Sequence, residues 1–230
     1  MQILGISASG RAGRVTEAAV RTVIEAATES AGIAAAAAPR FISLSGLTIG
    51  GCQGCLRCAG DNRCRVNDDW PDIAGAMLEA DAIVFGAPSY YGMINALGHA
   101  CLERTYSFRH RERFLLAGKL GVAVDVGRER DERPVRRHIE SMFRSNMMAV
   151  VGSTRADGAS RCYTCGYGED CAVGNVVANH GYLERIEPHH LPAEFDAQPA
   201  ALAAARKTGR VLGSMLRARH QPARPGEDRR

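Results

Sequence analysis

The sequence predicts an α/β fold: one open, doubly wound sheet of five parallel strands with helices on both faces. Three observations carry this. Short aliphatic runs alternate with alanine-rich segments of helical periodicity along the first 150 or so residues. The third run, Ala82–Ala87 (AIVFGA), is wholly apolar, as a central strand covered on both faces must be. Helical segments separate successive strands, which favours parallel pairing through right-handed crossovers.

The elements follow in order. Met1–Ser7 reads as strand one and Ala8–Val15 as a polar, Gly-containing loop. From Thr16 to Ala31 apolar residues recur at helical spacing (Val20, Val23, Ile24, Ala27), with Gly32 as the stop. Ala35–Leu44 is strand two. A long loop over residues 45–69 follows, well past the roughly 12–15 residues at which structureless loops become uncommon. Asp69 or Asp72 is placed to cap a helix running to Ala80. After strand three come a loop at Ser89–Asn95 and a helix at Ala96–Phe108. Leu120–Val126 is strand four, Glu132–Ser145 a helix capped by Asp131, and Met147–Gly152 strand five. An irregular, Cys-containing extension (153–198) leads to an amphipathic helix at 199–218. Residues 1–219 are expected to form a single domain, and 220–230 a disordered basic tail.

Composition excludes several functions. No apolar stretch approaches the ~20 residues that span a bilayer, and MQILGISASG lacks the pattern of a signal peptide, so a cytoplasmic protein is expected. The net charge of +4 is concentrated at the end: residues 206–230 carry eight Arg or Lys against two acids. The body is close to neutral, which argues against nucleic-acid binding. The run Arg104–Arg113, interleaved with Glu103 and Glu112, reads as a solvated helix end or subunit contact.

Two loops are expected at the carboxyl edge of the sheet, where such folds bind ligands. In the first, ISASGRAGRVTEAA, helix N–H groups can meet an anion, with Ser9 and Thr16 adding hydroxyls, Arg11 adding charge and Gly13, Arg14 and Val15 adding backbone. The pattern is neither a GKS/GKT P-loop nor a complete G-x-G-x-x-G, so a phosphate monoester fits better than a dinucleotide. Taken alone, it fits an ordinary capped turn equally well. In the second, Pro88 and Ser89 lead to the flat rings of Tyr90 and Tyr91, and Gly92 admits a close ligand. Taken alone, plain packing is the better account of two adjacent tyrosines. Read together, the loops suit a ligand with a phosphate at one end and a planar ring at the other, the shape of FMN.

Cysteine is the strongest chemical signal. Cys52, Cys55, Cys58 and Cys64 stand at spacings of three, three and six (CQGCLRCAGDNRC) in a loop with little apolar content, so order must come from outside it. An iron–sulfur cluster is the leading reading, with zinc and a metal-free loop as alternatives. Cys162, Cys165 and Cys171 repeat spacings of three and six and form a possible second metal site, with His180 or a thiol of another subunit completing it; thiol–disulfide chemistry is the alternative. Cys101 reads as a packing residue and His189–His190 as a loop feature.

These residues together resemble the flavodoxin-like NAD(P)H-dependent FMN reductase superfamily, in particular its iron–sulfur flavoprotein branch. The family's first loop, G-S-P-R-x-x-x-N-T, is matched at Ser9, Arg11 and Thr16, with Gly10 and Val15 replacing proline and asparagine. Its third-strand motif is matched at Pro88, Tyr90, Tyr91, Gly92, Ala96, Glu103 and Arg104, with Asn95 in place of serine. The compact cysteine motif is matched at all four positions and is followed by Asp68–Asp69.

The resemblance covers about residues 1–152. It implies a flavodoxin-like sheet, FMN, a [4Fe–4S] cluster on Cys52, Cys55, Cys58 and Cys64, NAD(P)H as a possible donor, and a homodimer or tetramer. Where the family has a Gly-rich loop beside the flavin ring, Gly127 is followed here by Arg128–Glu132, which changes the expected ring contacts. The implied activity couples two-electron flavin chemistry to one-electron steps with a redox partner protein or small-molecule acceptor. The alternatives are an FMN or quinone reductase without a cluster and a zinc-stabilised binding scaffold. No Ser–His–Asp or paired-carboxylate arrangement is visible, so no catalytic acid or base is named.

Overall fold

The computed structural model describes residues 1–34, 38–127 and 134–221. The sheet has the order β2-β1-β3-β5-β6: β1 (Ile3–Ser7), β2 (Arg40–Ser43), β3 (Ala82–Tyr90), β5 (Leu120–Val126) and β6 (Ala149–Ala156) are all parallel, and β4 (Met93–Ile94) hangs antiparallel on the end of β3. The strand order reverses beside β1, so the carboxyl ends of β1 and β3 border the crevice where doubly wound sheets take ligands. The predicted fold is therefore present.

β3 runs three residues past its expected end at Ala87. β1 stops at the pair Ser7↔Gly86, whereas β5 pairs on to Pro88↔Val126. Beyond Gly86, β3 has left β1, so no β1 carbonyl awaits an N–H from Pro88 and a proline is tolerated there. Strand five begins two residues later than expected and ends at Ala156 rather than Gly152; as an edge strand it carries Ser153, Thr154 and Arg155 without needing two apolar faces.

Helices cover both faces. α1 (Val15–Ala31) and α6 (Pro199–His220) pack on one side over Ile3, Val84, Val122 and Val124. Their contact needs glycine: a Cβ at Gly209 would lie 2.4 Å from the Val23 carbonyl oxygen, and one at Gly213 would lie 2.2 Å from that of Ala27. α2 (Trp70–Glu79), α3 (Ala96–Arg104) and α4 (Pro134–Ser145) cover the other side over Leu4, Ile6, Phe85 and Ala123. Gly32, at φ 68°, ends α1 as predicted. The single helix expected at Ala96–Phe108 tightens after Arg104 into a 3-10 turn, Thr105–Phe108. The expected cap Asp131, the loop Arg128–Glu132, most of the tail and residues 35–37 of strand two lie outside the described residues. Among the described residues, no helix is long and apolar enough to cross a membrane.

Candidate functional site

The two predicted loops meet at the carboxyl edge. In the first, Ser9 is buried and folds on its own loop, accepting from the Arg11 N–H at 3.1 Å and donating to the Arg11 carbonyl at 3.0 Å. Arg11 donates to the Ala159 carbonyl at 3.1 Å. Gly13 turns the chain at φ 66°, and its N–H donates to the Glu17 carboxylate at 2.8 Å. Arg14 occupies the cap position of α1 with extended backbone and no capping side chain, and reaches Glu194 at 3.0 Å. Val15 and Thr16 are buried in the first turn. A 17-residue helix thus opens with no side-chain cap, beside a loop carrying two arginines, which is the environment an anion favours.

The second loop is tighter than expected. Tyr90 pairs with Met93, and Tyr91 and Gly92 form a two-residue hairpin turn with φ 52° and 76°. A tyrosine held in the left-handed region carries backbone strain, and such residues gather at ligand sites. Tyr91 is fully exposed, with Tyr90 and Met93 about half exposed beside it. Pro88 and Ser89 lie in the strand itself. Gly127, at the tip of β5, closes on them: a Cβ there would sit 2.8 Å from the Ser89 Cβ.

Asn95 joins the two loops, a role its place in the family motif does not reveal. Buried at the end of the hairpin, it donates from Nδ2 to the Ala8 carbonyl at 2.7 Å, while its N–H reaches the Pro88 carbonyl at 3.2 Å.

The cysteine loop is ordered from outside, as its composition demands, and a buried ion pair supplies much of that order. Arg104 is 1% exposed. Its guanidinium forks onto the Asp68 carboxylate (Nη1–Oδ2 2.5 Å, Nη2–Oδ1 3.1 Å), reaches the Gly50 carbonyl at 2.9 Å and lies over the Trp70 ring. Asp68 also accepts the N–H groups of Gly50 and Trp70 at 3.1 Å each. Burial pushes the Asp68 carboxyl up, but the Arg104 contact and these two N–H groups outweigh it and hold the group below the usual carboxylate range. Neighbouring Glu103 accepts the Cys52 N–H at 2.8 Å.

Two expectations are corrected here. Arg104 is not part of a solvated helix end, although Arg109, Arg111 and Arg113 are exposed. Asp69 does occupy the cap position of α2, but without a side-chain cap: its carboxylate takes the Thr48 N–H at 2.7 Å, and Asp68 serves Trp70 instead.

Cys52, Cys55, Cys58 and Cys64 all line one small concavity with Arg65, Arg104 and Tyr106. Burial pushes the Cys58 thiol up, and the charges of Cys64, Cys52 and Cys55 push it further, so the four sulfurs share one electrostatic environment. Cationic or N–H groups face them. Arg57 lies 3.5 Å from the Cys55 sulfur and lowers that thiol, His110 Nε2 lies 3.1 Å from the Cys58 sulfur, and Cys64 is among the groups that raise Arg104. Arg104 Nε is buried with no hydrogen-bond partner. Nothing in the sequence pointed to His110; it is fixed by its N–H bond to Asn62 at 2.8 Å. Four thiols with cations behind them match the chemistry of an anionic thiolate-held cluster. Among the described residues no three His, Cys, Asp or Glu side chains close around a single metal ion.

Comparison with known proteins agrees with this geometry. Residues 1–160 match the family described as NADPH-dependent FMN reductase. An iron–sulfur flavoprotein of Methanocaldococcus jannaschii is 34% identical over 154 residues, 66% of this chain and 76% of that protein. One of Methanosarcina thermophila is 30% identical over 154 residues, 66% of this chain and 78% of that protein. The chain belongs to the NADPH-dependent FMN reductase family, in its iron–sulfur flavoprotein branch. As a member it is a flavin-dependent oxidoreductase. The fold extends past the matched region: the crystal structure of RosB with bound 8-demethyl-8-formylriboflavin-5'-phosphate superposes with a TM-score of 0.61 at 14% identity, covering 95% of this chain and 79% of that one.

Cys162, Cys165 and Cys171 lie in the extension. His180, expected as a fourth ligand, faces the Tyr163 hydroxyl at 3.1 Å. Cys101 is fully buried on α3, as predicted, and burial pushes its thiol up to about 12. A concavity of about 580 Å³ between β6 and the start of α6 contains none of the predicted site residues.

Proposed function

We propose that this flavin-dependent oxidoreductase binds FMN across the Ser9–Thr16 and Pro88–Gly92 loops and a [4Fe–4S] cluster on Cys52, Cys55, Cys58 and Cys64, and that it passes electrons from an NAD(P)H-class donor to a one-electron acceptor. The observation that carries this is the shared helix. α3 leaves the Tyr91–Gly92 turn, and its last two residues, Glu103 and Arg104, hold the cysteine loop. One rigid element therefore fixes both candidate cofactor positions.

FMN supplies exchange of two electrons with one partner and of one with another, and the cluster takes one at a time. The chain's own residues bind and orient. The open start of α1 and Arg11 would hold the phosphate. Tyr90, Tyr91, Gly92 and Gly127 border the ring. Arg57 and Arg104 offset the negative charge of the thiolates, and His110 Nε2 stands beside the Cys58 sulfur. The arrangement of the thiols favours a cluster over zinc. Cys-x2-Cys-x2-Cys presents three thiolates from one segment, which suits the corners of a cubane, whereas zinc sites draw on separate Cys-x-x-Cys corners around one point. The exposed Tyr90, Tyr91 and Met93 give a second copy of the chain an apolar surface to cover, in keeping with a homo-oligomer.

Anaerobic purification followed by flavin, iron, sulfide and zinc analysis tests the reading. It expects one FMN and about four each of iron and sulfide per chain. Flavin without iron would reduce the protein to a simple reductase; stoichiometric zinc without flavin would sink both.

A further inference from the structure

A second group of thiols stands outside this machinery. Cys162 sits in the 3-10 turn Arg161–Tyr163, where the Ser160 hydroxyl accepts its N–H at 3.2 Å. The Asn175 side-chain amide faces the Cys162 sulfur at 3.9 Å and bonds Ser160 Oγ at 2.9 Å. Ser160 first, then Asn175, hold this thiol below its ordinary range. Cys165 follows on the same turn. It is exposed, and its sulfur lies 3.5 Å from the Cys162 carbonyl oxygen. Cys171 borders the same place, with its sulfur 3.3 Å from where a Gly174 Cβ would stand.

The position is as telling as the thiols. The segment leading into the turn is fastened to the flavin-side loops: Arg11 donates to the Ala159 carbonyl at 3.1 Å, and a Cβ at Gly158 would lie 3.8 Å from the Gly127 nitrogen. The turn thus emerges at the same sheet edge as the proposed FMN site.

We propose that Cys162 and Cys165 form a thiol–disulfide exchange centre at this edge, with Cys162 attacking and Cys165 resolving, for small disulfides of the glutathione disulfide class. The inference does not depend on the cluster. The Cys162 thiolate attacks one sulfur of the external disulfide. That S–S bond breaks; one half leaves and takes up a proton as a thiol, and the other stays on Cys162 as a mixed disulfide. Cys165 then gives up its proton and attacks the Cys162 sulfur, forming the Cys162–Cys165 bond and releasing the second half as thiol. The pair is oxidised by two electrons and the external disulfide is reduced by two. A two-residue interval between cysteines suits this chemistry.

The test treats the full-length, cofactor-loaded protein anaerobically with glutathione disulfide, traps free thiols with iodoacetamide and maps the products. Trypsin cuts after Arg161 and chymotrypsin after Tyr163 and Tyr167, so the three cysteines fall on separate peptides. Expected are a Cys162–Cys165 linked peptide, alkylation of Cys162 roughly tenfold faster than of Cys165 at neutral pH, and a glutathione adduct trapped on Cys162 in C165S. C162S should give neither link nor adduct. Equal alkylation rates, adducts without a link in the unsubstituted chain, or one zinc per chain protecting all three thiols would each overturn the proposal. Cys165 is exposed, so C165S keeps the test decisive even if C162S disturbs the turn.

Discussion

Two segments of this chain carry cysteines at the same spacing, and their surroundings give them different chemistry. Cys55, Cys58 and Cys64 and then Cys162, Cys165 and Cys171 both run at intervals of three and six. The first set, with Cys52, lines one concavity, and burial and mutual charge raise Cys58. The second lies on an open turn where a hydroxyl and an amide lower Cys162. A buried thiol such as Cys58 that resists ionisation gains most from a shared cationic centre, whereas a thiol held below its ordinary range gains most as a nucleophile. The spacing is common to both; the difference lies in what stands behind the sulfurs.

The comparison breaks most severely if the support of the first loop is removed. R104M leaves the Asp68 carboxylate buried without its partner, and breaking such a pair costs about 3–5 kcal/mol. The expected result is a lower melting temperature, fast amide exchange over residues 45–69 and loss of bound iron, with Cys162 alkylating at its original rate. An unchanged exchange pattern in the loop would show that the ion pair is not what orders it.

Acid should act on the same support and spare the second turn. The Asp68 carboxyl is held below the ordinary carboxylate range, so the folded loop binds fewer protons there than the unfolded chain. Its contribution is fully present above the ordinary Asp value of about 3.9 and is lost as pH falls through the lower folded value. Amide exchange of residues 45–69, corrected for intrinsic rate, should therefore be flat from neutral pH down to that range and rise only below it. D68N should remove the step.

Much of this was legible in the sequence. Five strands, the first loop and the four-cysteine motif needed only periodicity and spacing. What escaped was long-range pairing. Arg104 reads as one more residue of a basic run, because nothing local announces an acid 36 residues earlier. Asn95 stands where the family pattern has serine, yet its bond to Ala8 spans 87 residues. His110 lies among exposed arginines and is aimed at Cys58 by Asn62, from the other side of the contact. Side chains that fold two loops together are chosen by partners, and partners are invisible until the topology is known.

The subtlest expected effect sharpens the second half of the comparison. Ser160 is the leading cause of the lowered Cys162 thiol, and it also takes the Cys162 N–H that starts the turn. S160A removes the hydroxyl that does most to lower the Cys162 thiol, so the ordinary value should be partly restored. A neutral-strength bond of about 1 kcal/mol corresponds to roughly fivefold slower alkylation near neutral pH. The deficit should shrink as pH rises and vanish once both proteins are fully ionised, because the intrinsic nucleophilicity of the sulfur is nearly unchanged. A loss of turn structure would instead slow the reaction by the same factor at every pH. The shape of the pH–rate curve therefore separates an electrostatic role for Ser160 from a scaffolding one.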